Sequence, residues 1–373
     1  MISENQKGLL DRIMDADLKP PEQLTLMITR GCNLNCRHCL LDCRPAGKTP
    51  PVNTDVVKRI VLEFFEIGGK GLVITGGEPL IHPDWLKILS FACYETGLRD
   101  VCLQTNAMLM NDDDINSLQS LPADRLSLQI SLEGATPGTH DFVRGKGGFE
   151  ATMKTMARLS AAGLGGRTTV AFTEMRHNYD ELPDAVGLVH TMGMGRLVSG
   201  TIVKGGRAMD SETLLLPEPL QIRGLLDRYE QDHEFRRIYD AVGNIAAVEW
   251  FKGREGLCDQ PCTCIRMPFM DAEGHLFPCV MYLKDTLAIG HGHERPLGAV
   301  ISDAIPLWAS LPKMSRRRSL LLNRCQGCPG RRHCAGGCMG RADRNHGNAM
   351  SVEDRCDLRR EVYFREPRGH EPV

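Results

Sequence analysis

The sequence predicts an α/β protein, a partial (β/α)6 barrel of TIM type followed by a small cysteine-rich domain. Apolar strand-like runs alternate with helical segments from about residue 24 to 203. Six such units fall short of the eight that close a barrel, so the sheet is expected to stay open. From residue 258 onward the composition shifts to Cys, Gly, Pro and Arg, and nine of the fifteen cysteines lie there.

In chain order, the strand candidates are LTLMIT (24–29), GLVIT (71–75), DVCLQTN (100–106), RLSLQIS (125–131), TTVAFTEM (168–175) and RLVSGTIV (196–203). Helix candidates between them include residues 54–68 and 149–163. The second carries a Thr/Met/Leu/Ala stripe at helical spacing and stops at Gly163. Its methionines suit core filling. Cys93 and Cys102, in apolar patterns, are read as buried core residues. The expected organisation is an N-terminal extension (1–23), a core (24–207), a helical connector (208–257) and the cysteine-rich segment (258–373). That last segment looks too poor in apolar periodicity for a large core, so it would need staples such as metal clusters.

The chain has 373 residues, with 42% hydrophobic and 25% charged residues and a formal net charge of −2. No broad basic field points to nucleic acid or an anionic membrane. The run Arg316-Arg317-Arg318 is read as a solvated helix face. No stretch of 18 apolar residues predicts a membrane span, and the polar N-terminus lacks the apolar core of a signal peptide. The expected location is therefore the cytoplasm. In that reducing setting an odd number of cysteines points to metal ligation rather than disulfides.

Chemistry in such folds sits at the C-terminal ends of strands. There, after the first strand, stands RGCNLNCRHC, with Cys32, Cys36 and Cys39 spaced CxxxCxxC. Three thiolates on one loop can hold three corners of a [4Fe–4S] cubane and leave the fourth iron open. Zinc is the competing reading, with His38 or Cys43 as the fourth ligand. Adjacent Cys39 and His38 would make that tetrahedron awkward. Cys43 could also close a cubane. The next strand ends in Gly76-Gly77-Glu78-Pro79, where glycines allow close approach to the backbone and an oxygen can receive an ammonium group.

Together these motifs resemble the radical S-adenosylmethionine (SAM) superfamily, from about Leu24 to Arg207. The resemblance implies Cys32, Cys36 and Cys39 as cluster ligands, with SAM chelating the fourth iron. It implies that Gly76, Gly77, Glu78 and Pro79 hold the methionine amino group. Ser131 and Glu133 would contact the ribose or methionine part, and Arg144 would pair with the SAM carboxylate. His38 stands where the family often has an aromatic residue near adenine.

The C-terminal cysteines run Cys258, Cys262, Cys264, Cys279, Cys325, Cys328, Cys334, Cys338 and Cys356. Isolated pairs could be zinc ribbons, but the order Cx9GxxxxC, CxxCxxxxxCxxxC, C resembles the SPASM extension of radical SAM enzymes. That resemblance implies two auxiliary clusters. Cys258, Cys264, Cys279 and Cys338 would hold the first, and Cys325, Cys328, Cys334 and Cys356 the second. Cys262 is left as an extra thiol between two ligands: it could replace Cys258, serve as an acid or thiol donor, or be a plain unligated cysteine. Three [4Fe–4S] clusters would bring about 12 irons per chain.

The implied activity is reductive cleavage of SAM to a 5′-deoxyadenosyl radical, followed by hydrogen abstraction from a substrate. The resemblance favours a peptide or protein undergoing oxidative modification. Recognition would fall to direct docking or a separate peptide-recognition protein, and electrons would come from a donor such as flavodoxin or ferredoxin. Side-chain modification of a specialised haem is the alternative. A non-enzymatic iron–sulfur electron carrier is a third reading, although a carrier gains nothing from an open iron. Val280 follows Cys279 where formylglycine-forming members are expected to carry an acid, which speaks against that particular reaction.

Overall fold

The computed structural model describes residues 4–257, 262 and 264–366. All six predicted strands form. They belong to a nine-stranded sheet, alongside a separate two-stranded pair. In chain order the strands are β1 (Gln23–Met27), β2 (Gly31–Cys32), β3 (Arg44–Pro45), β4 (Gly71–Thr75), β5 (Asp100–Thr105) and β6 (Leu126–Ser131). β7 (Thr168–Glu174), β8 (Arg196–Thr201), β9 (Gly243–Asn244), β10 (Phe269–Met270) and β11 (Leu276–Phe277) complete the set. The large sheet runs β11-β10-β1-β4-β5-β6-β7-β8-β9, and β2 pairs with β3. Every neighbour in the large sheet is parallel except β10 and β11.

Sequence periodicity explains the layers. β6 and β7 alternate strictly between buried and half-exposed residues, so one face of each meets the core. The helix Thr54–Glu66 starts where the Asn53 side chain accepts from the amides of Asp55 and Val56, and it buries Val57, Ile60, Val61 and Phe64. Each such side chain contributes roughly 1.5–3 kcal/mol. The stripe predicted within 149–163 is also buried, in the helix Gly148–Ala161, through Thr152, Thr155, Met156 and Leu159.

Four expectations need correction. The connector is not purely helical, because its Gly243–Asn244 pairs with β8 and extends the sheet. The cysteine-rich segment does own a strongly apolar element. Its helix Leu297–Trp308 buries Leu297, Val300, Ile301, Ala304, Ile305 and Trp308 in the main core. Its β10 also pairs with β1, so this segment shares the barrel's core instead of relying on staples alone. Arg316 and Arg317 are exposed as expected, but Arg318 is wholly buried. Cys93 is buried as expected, whereas Cys102 is only half-buried. Among the described residues, no helix is long and apolar enough to cross a membrane.

Candidate active site

The cysteine loop leaves β1 and is stitched at once to the loop after β4. The Gly77 amide donates to the Thr29 carbonyl at 2.8 Å, and the Glu78 amide donates to the Gly31 carbonyl at 2.8 Å. A Cβ on Gly77 would stand 2.3 Å from the Gly31 oxygen, and one on Gly76 2.6 Å from the Thr29 oxygen. The chain's own backbone therefore requires glycine at both positions. Pro79 opens a short turn that Glu78 caps.

Glu78 is fully buried. Its carboxylate accepts from the Leu80 amide (3.1 Å), the Thr105 hydroxyl (2.7 Å) and the Asn106 amide (2.8 Å). Burial nevertheless raises its pKa. The Asn106 side chain then donates to Asn33 at 2.8 Å, tying the end of β5 to the cysteine loop.

Cys32 and Cys36 are buried, and Cys39 is half-buried. The Leu34 amide points at the Cys32 sulfur at 3.4 Å, and the Cys43 amide points at the Cys39 sulfur at 3.4 Å. Arg144 Nη1 lies 4.0 Å from the Cys36 sulfur. Burial pushes the Cys32 thiol up to about 11 and also raises Cys36. A hydrogen bond from the Cys43 thiol brings Cys39 down to about 5. The Cys43 sulfur itself rests 3.9 Å from the Gly76 carbonyl oxygen.

Opposite the loop, just past β6, Glu133 is buried and its carboxylate is held by three residues. Arg144 donates to it through Nε (3.2 Å) and Nη2 (2.7 Å), the Thr173 amide at 2.7 Å, and His38 Nε2 stands 3.2 Å away. Burial opposes ionisation, but Arg144 and His38 outweigh it and hold the carboxyl well below the usual range. Ser131, half-buried, ends β6 beside Ala171. His38 Nδ1 is buried without a hydrogen-bond partner among the described residues.

Sequence reasoning missed Arg207, which clamps the loop from the far side. Its Nε donates to the Cys36 carbonyl at 2.8 Å, its Nη1 to Asp42 at 3.1 Å and to the Cys43 carbonyl, and its amide to the Cys39 carbonyl at 3.0 Å. Gly206, at φ +52°, is needed there because a Cβ would sit 2.3 Å from the Cys39 oxygen. The Gly205-Gly206-Arg207 string after the sixth strand was the available signal.

Three thiols on one loop, two of them receiving amide N–H groups and the third facing a guanidinium, fit a thiolate-bound anionic cluster. Among the described residues, no group of three His, Cys, Asp or Glu side chains is arranged to hold a single metal ion.

Residues 26–189 match the family model described as the Radical SAM superfamily. This segment is a radical SAM domain. The chain is 27% identical to the AdoMet-dependent heme synthase of Methanosarcina barkeri (strain Fusaro / DSM 804) over 93% of this chain and 99% of that protein. It is 27% identical to the mycofactocin maturase MftC of Mycobacterium ulcerans (strain Agy99), over 86% of this chain and 84% of the relative. Its fold is similar to that of Streptococcus suis SuiB bound to precursor peptide SuiA. That match has a TM-score of 0.71 and 16% identity, covering 94% of this chain and 79% of SuiB.

Beyond the radical SAM domain, the C-terminal cysteines form two sets. Cys264 hydrogen bonds with Cys262, and that bond, burial and the neighbouring thiols of Cys262, Cys279 and Cys338 raise its pKa well above the usual thiol value. Cys258 lies outside the described residues, so Cys262 is the fourth thiol seen in this set. Cys325, Cys328, Cys334 and Cys356 line one cavity, together with Glu353 and Arg359. The loop between Cys334 and Cys338 takes positive φ at Ala335, Gly336 and Gly337 (50°, 85° and 74°), which carries the chain from one set to the other. Docking onto the radical SAM domain uses the β1–β10 pair and Arg341. This buried side chain donates to the Thr201 and Ile202 carbonyls and to both oxygens of Asp354.

Proposed function

We propose that this chain is a radical SAM enzyme that abstracts hydrogen from a peptide or protein in an oxidative modification. The observation that carries the reading is the stitching of the cysteine loop to the Gly76–Pro79 loop at one end of the sheet. Cys32, Cys36 and Cys39 would hold a [4Fe–4S] cluster, whose chemistry when bound to SAM is one-electron cleavage to a 5′-deoxyadenosyl radical.

The protein's part is placement. Glu78, anchored by three donors, fixes the strand-end backbone that would receive the methionine amino group. Arg144 spends Nε and Nη2 on Glu133, leaving Nη1 beside Cys36 for the SAM carboxylate. Ser131 and Glu133 border the ribose side, and His38 offers its ring face and an unspent Nδ1. The two C-terminal sets would hold auxiliary clusters that take up the substrate's electron, with flavodoxin or ferredoxin supplying the priming one.

Peptide as substrate is supported by a cavity of about 500 Å³ beside the cysteine loop, lined by Arg30, Arg44, Asp271, Glu273, His275 and Asp285 among others. Its charge is mixed and largely paired, Glu273 with Arg30 and Asp271 with His275, which suits a polar chain better than a polyanionic tetrapyrrole that needs a surplus of positive charge. Val280 packs among apolar neighbours and supplies no base, so formylglycine formation is not the reaction assigned. The haem reading stands second, on the 99% coverage of the heme synthase.

Reduced, reconstituted protein is expected to make 5′-deoxyadenosine anaerobically, and faster with a peptide-rich cell fraction. Stimulation by a tetrapyrrole-rich fraction alone would transfer the assignment to haem. No deoxyadenosine at full iron loading would return the chain to the electron-carrier reading.

A further inference from the structure

Arg318 is an anomaly of charge. It lies in the helix Ser310–Leu321 and is fully buried. A guanidinium carries five N–H donors and stays ionised in proteins. Nη2 donates to the carbonyls of Gly336 (2.7 Å) and Ser351 (3.0 Å). Nε and Nη1, which carry the other three N–H groups, have no hydrogen-bond partner among the described residues. Three unsatisfied donors on a buried cation are costly unless an anion faces them.

The neighbours identify that anion. The charges that bear on Arg318 are Glu353 first, then Cys338 of one set and Cys325 and Cys334 of the other, and Cys262 of the first set faces it as well. The loop joining the sets is moulded on it, because a Cβ on Gly336 would fall 2.9 Å from Arg318 Cβ. Glu353 faces other groups too: its Oε2 accepts from the Cys338 amide and from Arg355, and its Oε1 forms an ion pair with Arg359 at 2.7 Å.

We infer that Arg318 is a shared second-layer donor to both auxiliary clusters, its unspent N–H groups directed at their sulfurs and thiolates. The inference rests on the auxiliary clusters of the proposed function. It makes Arg318 a positioning and potential-setting residue rather than a catalytic one. Hydrogen bonds and positive charge at the sulfurs favour the reduced, more negative state of an iron–sulfur cluster. One guanidinium between two clusters therefore raises both potentials together.

The test uses the full chain, anaerobically reconstituted, with iron and sulfide counts and a redox titration followed by electron paramagnetic resonance. Wild-type protein is expected to hold about 12 irons; about four would defeat the auxiliary-cluster reading itself. With the clusters present, R318Q is expected to shift both auxiliary midpoints to more negative potential and leave the SAM-site cluster unmoved. R318K, which keeps the charge but loses the fork, is expected to shift both by less. Unchanged midpoints in a folded, fully loaded variant would overturn the inference. Should neither variant fold, the test passes to wild-type protein labelled with [15N]arginine and read by electron spin-echo modulation, with an R359Q sample to remove the Arg359 guanidinium beside the second set. Nitrogen coupling is expected at both reduced auxiliary clusters, and its absence from either overturns the shared role.

Discussion

Beside Glu133 in the buried hub, His140 accepts the Glu133 amide at Nδ1 (3.1 Å) and is 1% exposed. Burial, with Arg144 next, lowers its pKa to about 4. Arg144, Glu133, Asp141 and His38 are the charged or titratable groups around it. Below its ordinary pKa the unfolded chain takes a proton that the folded chain refuses. Stability is therefore complete above pH ~6.5 and declines as pH falls toward ~4. At pH 5 the loss is about 2 kcal/mol. An Asn at this position can still accept the amide but does not titrate. H140N is thus expected to lose about 2 kcal/mol less than wild type between pH 7 and pH 5 in urea denaturation. Parallel pH curves for the two proteins would defeat the assignment.

Among elements, the two stitched loops concentrate the local constraint. G77A would force a methyl against the Gly31 carbonyl, 2.3 Å from its Cβ. The expected cost is about 1–3 kcal/mol, together with loss of roughly four irons from the first site. G187A is the control, because Gly187 lies in the helix Leu182–Thr191 with nothing within 4 Å of its added Cβ. It should be neutral or stabilising by roughly 0.5–1 kcal/mol. Iron analysis and denaturation of both variants check the pair, and an iron-replete, stable G77A would refute the role. The contrast also shows what a sequence can express. Six strands were legible because each repeats its pattern over several residues, whereas β9 and β10 have two residues each and no period to detect. The helix Leu297–Trp308 was masked by its internal Pro306 and by cysteine-dominated surroundings. Arg318 was misread because successive helical residues point about 100° apart, so one member of an exposed run can face inward. The cysteine loop was legible as spacing, but the Glu133–Arg144–His38 hub and the Arg207 clamp exist only once distant strand ends meet.

At the scale of the whole molecule, the cysteine-rich segment is joined to the radical SAM domain through its interior. Arg341 spans that junction, with hydrogen bonds of 3.2 Å to the Thr201 carbonyl and 2.6 Å to the Ile202 carbonyl, while Asp354 receives it at 2.7 Å through both oxygens. Arg344 adds a second contact, packing its guanidinium where a Cβ on Gly205 would stand 2.4 Å from Nη1. The end of β8 and the C-terminal segment are therefore one mechanical unit, and the segment should not loosen without disturbing the Gly206–Arg207 clamp on the cysteine loop. Replacing Arg341 by methionine keeps much of the volume but strands two carbonyls and a carboxylate. The expected destabilisation is about 3–5 kcal/mol, since removing one member of a buried pair leaves the other uncompensated. R341M/D354L, which removes both charged partners, should recover part of that loss. Because the junction also backs the clamp, R341M should lose iron from the first site as well as from the C-terminal sets. Urea denaturation with iron analysis reads both effects. If R341M denatures at the wild-type midpoint with all its iron retained, the junction is not the coupling device described.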